Sequence, residues 1–192
     1  MKRWIRPLEA LGACKDALVW CGTYDSLEEA WGECKHGGWM LWFAGRVSGP
    51  PDSASRKTLV LATCACARLA LKYVPEGELR PLKAIEVAEA WAKGDSQVSL
   101  KDVRAAAYAA DAADAAAYAA DAAYAADAAD AAAYAADAVY AADAADAAAY
   151  AAYAAAYDGT TERERTLAEC ADIVRRFYPQ PPALKLAKGE KS

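Results

Sequence analysis

Apolar residues recur three or four positions apart along most of the chain, and this spacing is typical of amphipathic helices. Pro7, which suits the first turn of a helix, precedes one such stripe, formed by Leu8, Leu11, Cys14, Leu18 and Cys21. No segment keeps the apolar–polar alternation of a half-buried strand. The pattern therefore predicts an all-α fold.

Several helix ends can be placed from local residue types. Ser26 and Glu29 have the spacing of a capping box, which predicts the start of a helix. Residues 55–74 are apolar almost all round, as expected of a helix at the centre of a bundle. Pro81 and Gly94 then bound the next predicted helix.

An alanine-rich tract occupies residues 105–157. It consists of 36 Ala, 8 Tyr, 8 Asp and 1 Val, and it contains neither Gly nor Pro. A 16-residue block begins at Tyr118 and again at Tyr134, and a third copy decays from Tyr150. Alanine has the highest helix propensity of all residues, so the tract is predicted to be helical throughout. A single helix of this length would span roughly 80 Å.

The spacing within the repeat argues against one straight coiled-coil seam. The tyrosines and aspartates advance by about 3.2 residues on average, whereas a helical turn takes about 3.6 residues. Their stripe therefore winds around a straight helix, and no constant face remains for a partner helix. We expect a helical bundle in which this Ala/Tyr/Asp tract folds back as two or more helices. One long helix that touches different neighbours is the alternative.

These patterns divide the chain into four segments. They are an N-terminal helical region (1–98), the Ala/Tyr/Asp-rich helical repeat tract (99–158), a C-terminal helix that packs on the body (159–180) and a flexible tail (181–192).

The net charge of −5 is concentrated in the tract, which carries eight aspartates and no basic residue. The remainder is nearly neutral and shows no basic stripe, so no nucleic-acid partner is expected.

No apolar run is long enough for a membrane span, and no membrane partner is expected. No apolar run follows the basic N-terminus as it would in a signal peptide. We therefore expect a cytoplasmic protein with reduced thiols.

Catalytic and metal-binding patterns are missing from the sequence. The six cysteines lack the paired spacing of a zinc site, and we expect them to be small buried apolar residues. His36 is the only histidine, and it suits a helix end or a loop better than a catalytic role. Neither a phosphate-binding loop nor a nucleophile elbow occurs. We expect no enzyme activity and no cofactor.

Two groups of residues are candidates for binding. The first is a negative ladder that would suit a basic protein partner, and it consists of Asp127, Asp130, Asp143 and Asp146 with Tyr134 and Tyr140. The alternative is that these aspartates only keep the helix solvated. The second group would hold a small planar or anionic ligand, and it consists of Trp39, Trp42, Arg175 and Arg176. The alternative for this group is core packing and a favourable helix dipole.

Short motifs spread over nearly the whole chain resemble the immunity protein family of bacteria and phages. The motifs are Ala13-Cys14-Lys15-Asp16-Ala17 with Trp20; Ala30-Trp31 with Gly38-Trp39-Met40-Leu41-Trp42; the run Cys64–Leu71; Ala88-Glu89-Ala90-Trp91 before Gly94; and Leu167–Arg175 before Tyr178-Pro179.

The resemblance implies an α-helical protein without enzyme activity that neutralises a toxin or defence factor by direct binding. Two other functions remain open at this point. One is a phage-type protein that sequesters a small nucleotide signal, and the other is a structural or assembly protein. A homo-oligomer is also left open.

Overall fold

The computed structural model of the protein describes residues 2–119, 123–138, 144–156 and 160–184. Within these ranges the chain forms ten α-helices and no strand, which confirms the predicted all-α bundle. The helices are α1 (Arg6–Ala10), α2 (Lys15–Cys21), α3 (Leu27–Glu33), α4 (Gly37–Val47), α5 (Ala54–Ala67), α6 (Arg80–Lys93), α7 (Leu100–Ala119), α8 (Ala123–Asp137), α9 (Ala144–Ala156) and α10 (Thr160–Phe177). Two 3₁₀ segments, Arg3–Ile5 and Arg68–Tyr73, flank α1 and α5.

Local capping explains where several helices begin and end. The Ser26 hydroxyl accepts a hydrogen bond from the Glu29 backbone N–H at 3.1 Å and starts α3, as predicted. Ser53 caps α5 in the same way through the Arg56 backbone N–H. Gly94 ends α6 in the left-handed conformation with φ of 89°, which a residue without Cβ adopts at little cost.

The N-terminal stripe forms two helices instead of one continuous helix. Gly12 has φ of 89°, and the Ala13 N–H bonds back to the Leu8 carbonyl at 3.0 Å, so that α1 ends there. The spacing of the apolar residues continues across this break, which is why the periodicity alone did not indicate it. The predicted helix over 55–74 is likewise divided, because α5 tightens into a 3₁₀ segment after Ala67.

Helix α5 lies at the centre of the bundle. Leu59, Val60 and Cys64 on this helix are fully buried. The helix contacts α4, α6, α8, α9 and α10, so it serves as the common packing partner of the N-terminal, repeat and C-terminal regions. The prediction that this segment is the central helix is confirmed.

The alanine-rich tract folds back as three helices, α7, α8 and α9. Helix α8 packs against both α7 and α9, while α9 also contacts α4, α5 and α10. Alanine allows this close packing because its small side chain lets helix axes approach, and many alanines of α8 and α9 are buried.

The close approach of helices α4 and α10 depends on a glycine. A Cβ atom added at Gly37 would lie 2.8 Å from the backbone carbonyl carbon of Cys170, which is closer than van der Waals contact permits. Gly37 and Gly38 both lie inside the first turn of α4.

Three further expectations concern the cysteines, a membrane span and the C-terminal tail. Five of the six cysteines are buried as expected, but Cys14 is exposed, because it caps the start of α2 next to the Gly12 turn. Across the described residues, no helix has the combined length and apolarity that crossing a bilayer requires. Of the predicted tail, Leu184 packs against the core, and residues 185–192 lie outside the described residues.

Candidate functional site

A pocket of about 270 Å³ lies between the N-terminal helices α1–α4 and the repeat helix α9. Its walls are almost entirely apolar, and aromatic side chains dominate them. Asp146 and Ala149 close the pocket from α9, more than one hundred residues away in the sequence. A small concave site with few polar groups is the usual form of a ligand site.

Five tryptophan and phenylalanine side chains line this pocket. Trp31 and Phe43 are buried, with ring centroids 6.1 Å apart in an edge-to-face arrangement. Trp20, Trp39 and Trp42 are partly buried and also line the pocket. The Trp20 and Trp39 ring centroids are 5.9 Å apart and the two planes are tilted.

His36 fixes the orientation of Trp39. Its Nδ1 accepts a hydrogen bond from the Trp39 backbone N–H at 3.3 Å and thereby caps α4. The two rings stack with centroids 4.4 Å apart and planes inclined by 7°. Burial lowers the pKa of His36, and nearby Arg163 lowers it further. The imidazole is therefore neutral at pH 7, which its acceptor role requires.

The four candidate small-ligand residues do not converge. Trp39 and Trp42 both line the pocket. Arg175 instead donates hydrogen bonds to the backbone carbonyls of Trp31, at 3.1 Å, and Cys34, at 2.7 Å. Arg175 thus joins α10 to the C-terminal end of α3, while Arg176 is exposed and does not line the pocket.

A second feature is an acidic cluster, which we define as Asp111, Asp114, Asp127, Asp130 and Asp146. Asp111 and Asp114 on α7 act electrostatically on Asp130 of α8, and Asp114 also on Asp127. None of the five takes part in an ion pair of the described residues. One carboxylate oxygen of Asp114 is buried without a hydrogen-bond partner.

Burial and mutual repulsion raise the pKa values of these carboxyl groups. Burial alone raises the pKa of Asp111, Asp127 and Asp146. For Asp114, burial acts together with repulsion from Asp111 and Asp127. Burial, with Asp114, Asp111 and Asp127 as further causes, raises the pKa of Asp130 to about 7. Part of the acidic charge is therefore suppressed at neutral pH.

Two tyrosines connect the acidic cluster with the aromatic pocket. Tyr134 of α8 and Tyr150 of α9 stack with ring centroids 5.0 Å apart and planes inclined by 11°. Asp130 and Asp146 both act electrostatically on this pair. Since Asp146 also lines the pocket, the cluster and the pocket share one edge.

Four of the six residues of the predicted negative ladder lie in the described part of the chain. Asp127, Asp130 and Tyr134 are half-buried between helices, and Asp146 is exposed at the pocket. Asp143 and Tyr140 lie outside the described residues. The sequence interpretation did not include Asp111 and Asp114, although they occupy repeat positions equivalent to Asp127 and Asp130.

Other chemistry at the site is limited. No group of three or more histidine, cysteine or acidic side chains suits a metal ion in the part of the chain that the structure describes. Burial, with small contributions from the other thiols, raises the pKa of Cys21 to about 11, and burial also raises the pKa of Cys34. These pocket thiols are therefore protonated and poor nucleophiles at pH 7. The arrangement is suited to binding.

Comparison of the chain with models of protein families, with curated proteins and with solved structures finds no match in any of the three. The resemblance to the immunity protein family therefore stays a prediction.

Proposed function

We propose that the protein is a non-enzymatic binding protein that neutralises a basic protein partner, a toxin or a defence factor, by direct binding. The acidic cluster is the proposed contact surface. The observation that carries the proposal is that four aspartates of α7 and α8 act electrostatically on one another, while Asp146 of α9 and Asp130 act on the same tyrosine pair, and none of the five forms an ion pair among the described residues. The resemblance of the sequence motifs to immunity proteins supports the same class of function.

The physical reason to expect a basic partner is the repulsion between neighbouring carboxylates of the acidic cluster. Asp114 and Asp130 repel each other across the α7–α8 contact, which costs stability as long as no cation lies between them. A lysine or arginine of a partner would remove this repulsion and restore the full charge of both carboxylates. Stacked Tyr134 and Tyr150 add rigid contact area beside the charges.

The nucleotide-sequestering alternative gains no support from the pocket. No lysine or arginine is among the residues that line it, and a phosphate group would face Asp146. Arg175 is already engaged with backbone carbonyls. A cytoplasmic location belongs to the proposal, since all six cysteines are free thiols.

Charge reversal combined with toxin rescue tests the proposal. The chain would be co-expressed in bacteria with each toxin candidate encoded beside its gene, and growth and co-purification would be measured. We expect one candidate to be neutralised, and the double variant Asp127→Lys/Asp130→Lys to weaken binding by about tenfold or more. The matched control Asp16→Lys/Asp52→Lys changes the net charge equally at exposed positions and should bind normally.

Circular dichroism and thermal unfolding would establish that both double variants fold. Rescue that is equally strong with the charge-reversed cluster would exclude the acidic cluster as the contact surface. Absence of rescue by any neighbouring candidate would exclude neutralisation of such a toxin.

A further inference from the structure

We propose that the aromatic pocket binds a small organic amine, with the aromatic or aliphatic body among the tryptophans and the protonated amine beside Asp146. This site and its ligand do not depend on the protein partner proposed above, because the acidic cluster and the pocket share only Asp146.

The size and walls of the pocket define the body of the ligand. A volume of about 270 Å³ suits one ring with a short chain. Trp20, Trp39 and Trp42 provide partly buried rings, and buried Trp31 also lines the pocket. Such rings bind apolar groups by excluding water and attract a cation through their π-electrons.

The charge of the ligand follows from the polar groups of the lining. Asp146 carries the only charged side chain among the residues that line the pocket, because His36 is neutral at pH 7. It has no ion-pair partner among the described residues, so a ligand cation would meet an unpaired carboxylate. An anionic ligand would be repelled by Asp146.

The orientation of the ligand follows from the surrounding arginines. Arg163 acts electrostatically on His36, and Arg46 lies over the Trp42 ring with its guanidinium carbon 5.7 Å from the ring centroid. Both arginines disfavour a second cation near those residues. No basic residue contributes to the pKa shift of Asp146. The amine therefore points towards α9 and the ring towards α4.

Three probes that share a phenyl ring but differ in charge test this proposal. They are phenethylamine, 2-phenylethanol and 3-phenylpropionate, and the protein's tryptophan fluorescence reports binding. We expect saturable binding in which phenethylamine binds about two- to fivefold more tightly than 2-phenylethanol, with 3-phenylpropionate weakest. Asp146→Asn should remove the preference for the amine, whereas Asp130→Asn, outside the pocket lining, should keep it.

A pocket-filling variant locates the site. Ala149→Phe adds a ring from α9 into the open pocket and should abolish binding of all three probes while the helical circular dichroism stays unchanged. Equal binding of the three probes, tightest binding of the anion, or a preference for the amine that survives Asp146→Asn would overturn the proposal. So would the absence of binding at millimolar concentrations, or binding that survives Ala149→Phe.

Discussion

Replacing Asp130 by asparagine should stabilise the protein, and the gain should depend on pH. Asp130 is half-buried beside Asp114, Asp111 and Asp127, and its pKa is raised to about 7 from the usual 3.8. Because the folded-state pKa is raised, the stabilising effect of the neutral carboxyl is fully present below about pH 4 and is lost as the pH rises to about 7. Asparagine has nearly the same shape and stays neutral at every pH.

The size of the effect follows from the shift in the pKa of Asp130. One pKa unit corresponds to about 1.4 kcal/mol, so a rise from 3.8 to about 7 sets a ceiling of roughly 4 kcal/mol. Burial is the largest cause of the shift and repulsion from the neighbouring aspartates adds to it; since the side chain is only half-buried, water reduces both effects, and we expect a gain of about 1–2 kcal/mol at pH 8. For a chain of this size, the gain should raise Tm by a few degrees.

Urea unfolding followed by far-UV circular dichroism would measure the gain, because urea, unlike guanidinium, does not screen charges. The free energy of unfolding of Asp130→Asn and of the wild type would be compared at about pH 5 and about pH 8. Protonation of His36 affects both proteins equally and cancels. Asp52→Asn, in an exposed loop, should change stability by less than about 0.5 kcal/mol at both pH values. A gain of equal size at both pH values, or a loss at pH 8, would refute the reasoning.

Three further predictions concern the glycine contact, the histidine and the thiols. Gly37→Ala should destabilise the protein by about 3 kcal/mol in the same assay, because its new Cβ would overlap the backbone of α10. Gly32→Ala, with no atom within 4 Å of its new Cβ, should leave stability unchanged or gain up to about 1 kcal/mol. The NMR titration of His36 should give a pKa below 6.5, and its contribution to stability should be lost as the pH falls below about 6.5; a higher pKa would contradict its acceptor role. With Ellman's reagent, Cys14 alone should react rapidly in the folded protein, and fast release of a second equivalent would contradict the burial of the other thiols.

Local chemistry made much of the fold predictable from the sequence. The capping pair Ser26–Glu29 and the left-handed Gly94 determine helix ends through contacts within a few residues, so their positions could be predicted. The break at Gly12 could not, because the apolar spacing runs through it. The repeat step indicated that the tract folds back, but alanine favours helix at every position. The division of the tract into α7, α8 and α9 is therefore not marked by any local residue type.

The candidate site was less predictable, because it combines distant segments. Trp39 and Trp42 were candidate ligand residues and line the pocket, whereas Trp20, which also lines it, was not a candidate, and Arg175, which was one, does not line it. The guanidinium of Arg175 finds backbone carbonyls at the end of α3, a contact that depends on how α10 crosses that helix. The pairing of α7 with α8, which gathers the aspartates, is also a property of the folded chain. Asp111 and Asp114 could have been found by their equivalent positions in the repeat.

The repeat length and the helix spacing differ, and this limits how the gene can change in length. Helices α7, α8 and α9 begin at Leu100, Ala123 and Ala144, more than 20 residues apart, whereas the sequence block recurs every 16 residues. Tyr134 therefore lies near the end of α8, while its counterpart Tyr150 lies in the middle of α9. Replication slippage that deletes one block would remove less than a helix and its link, and would turn the downstream side chains away from their neighbours. Interchangeable modules would survive such an event, but this tract would lose its packing, so selection should hold its copy number constant.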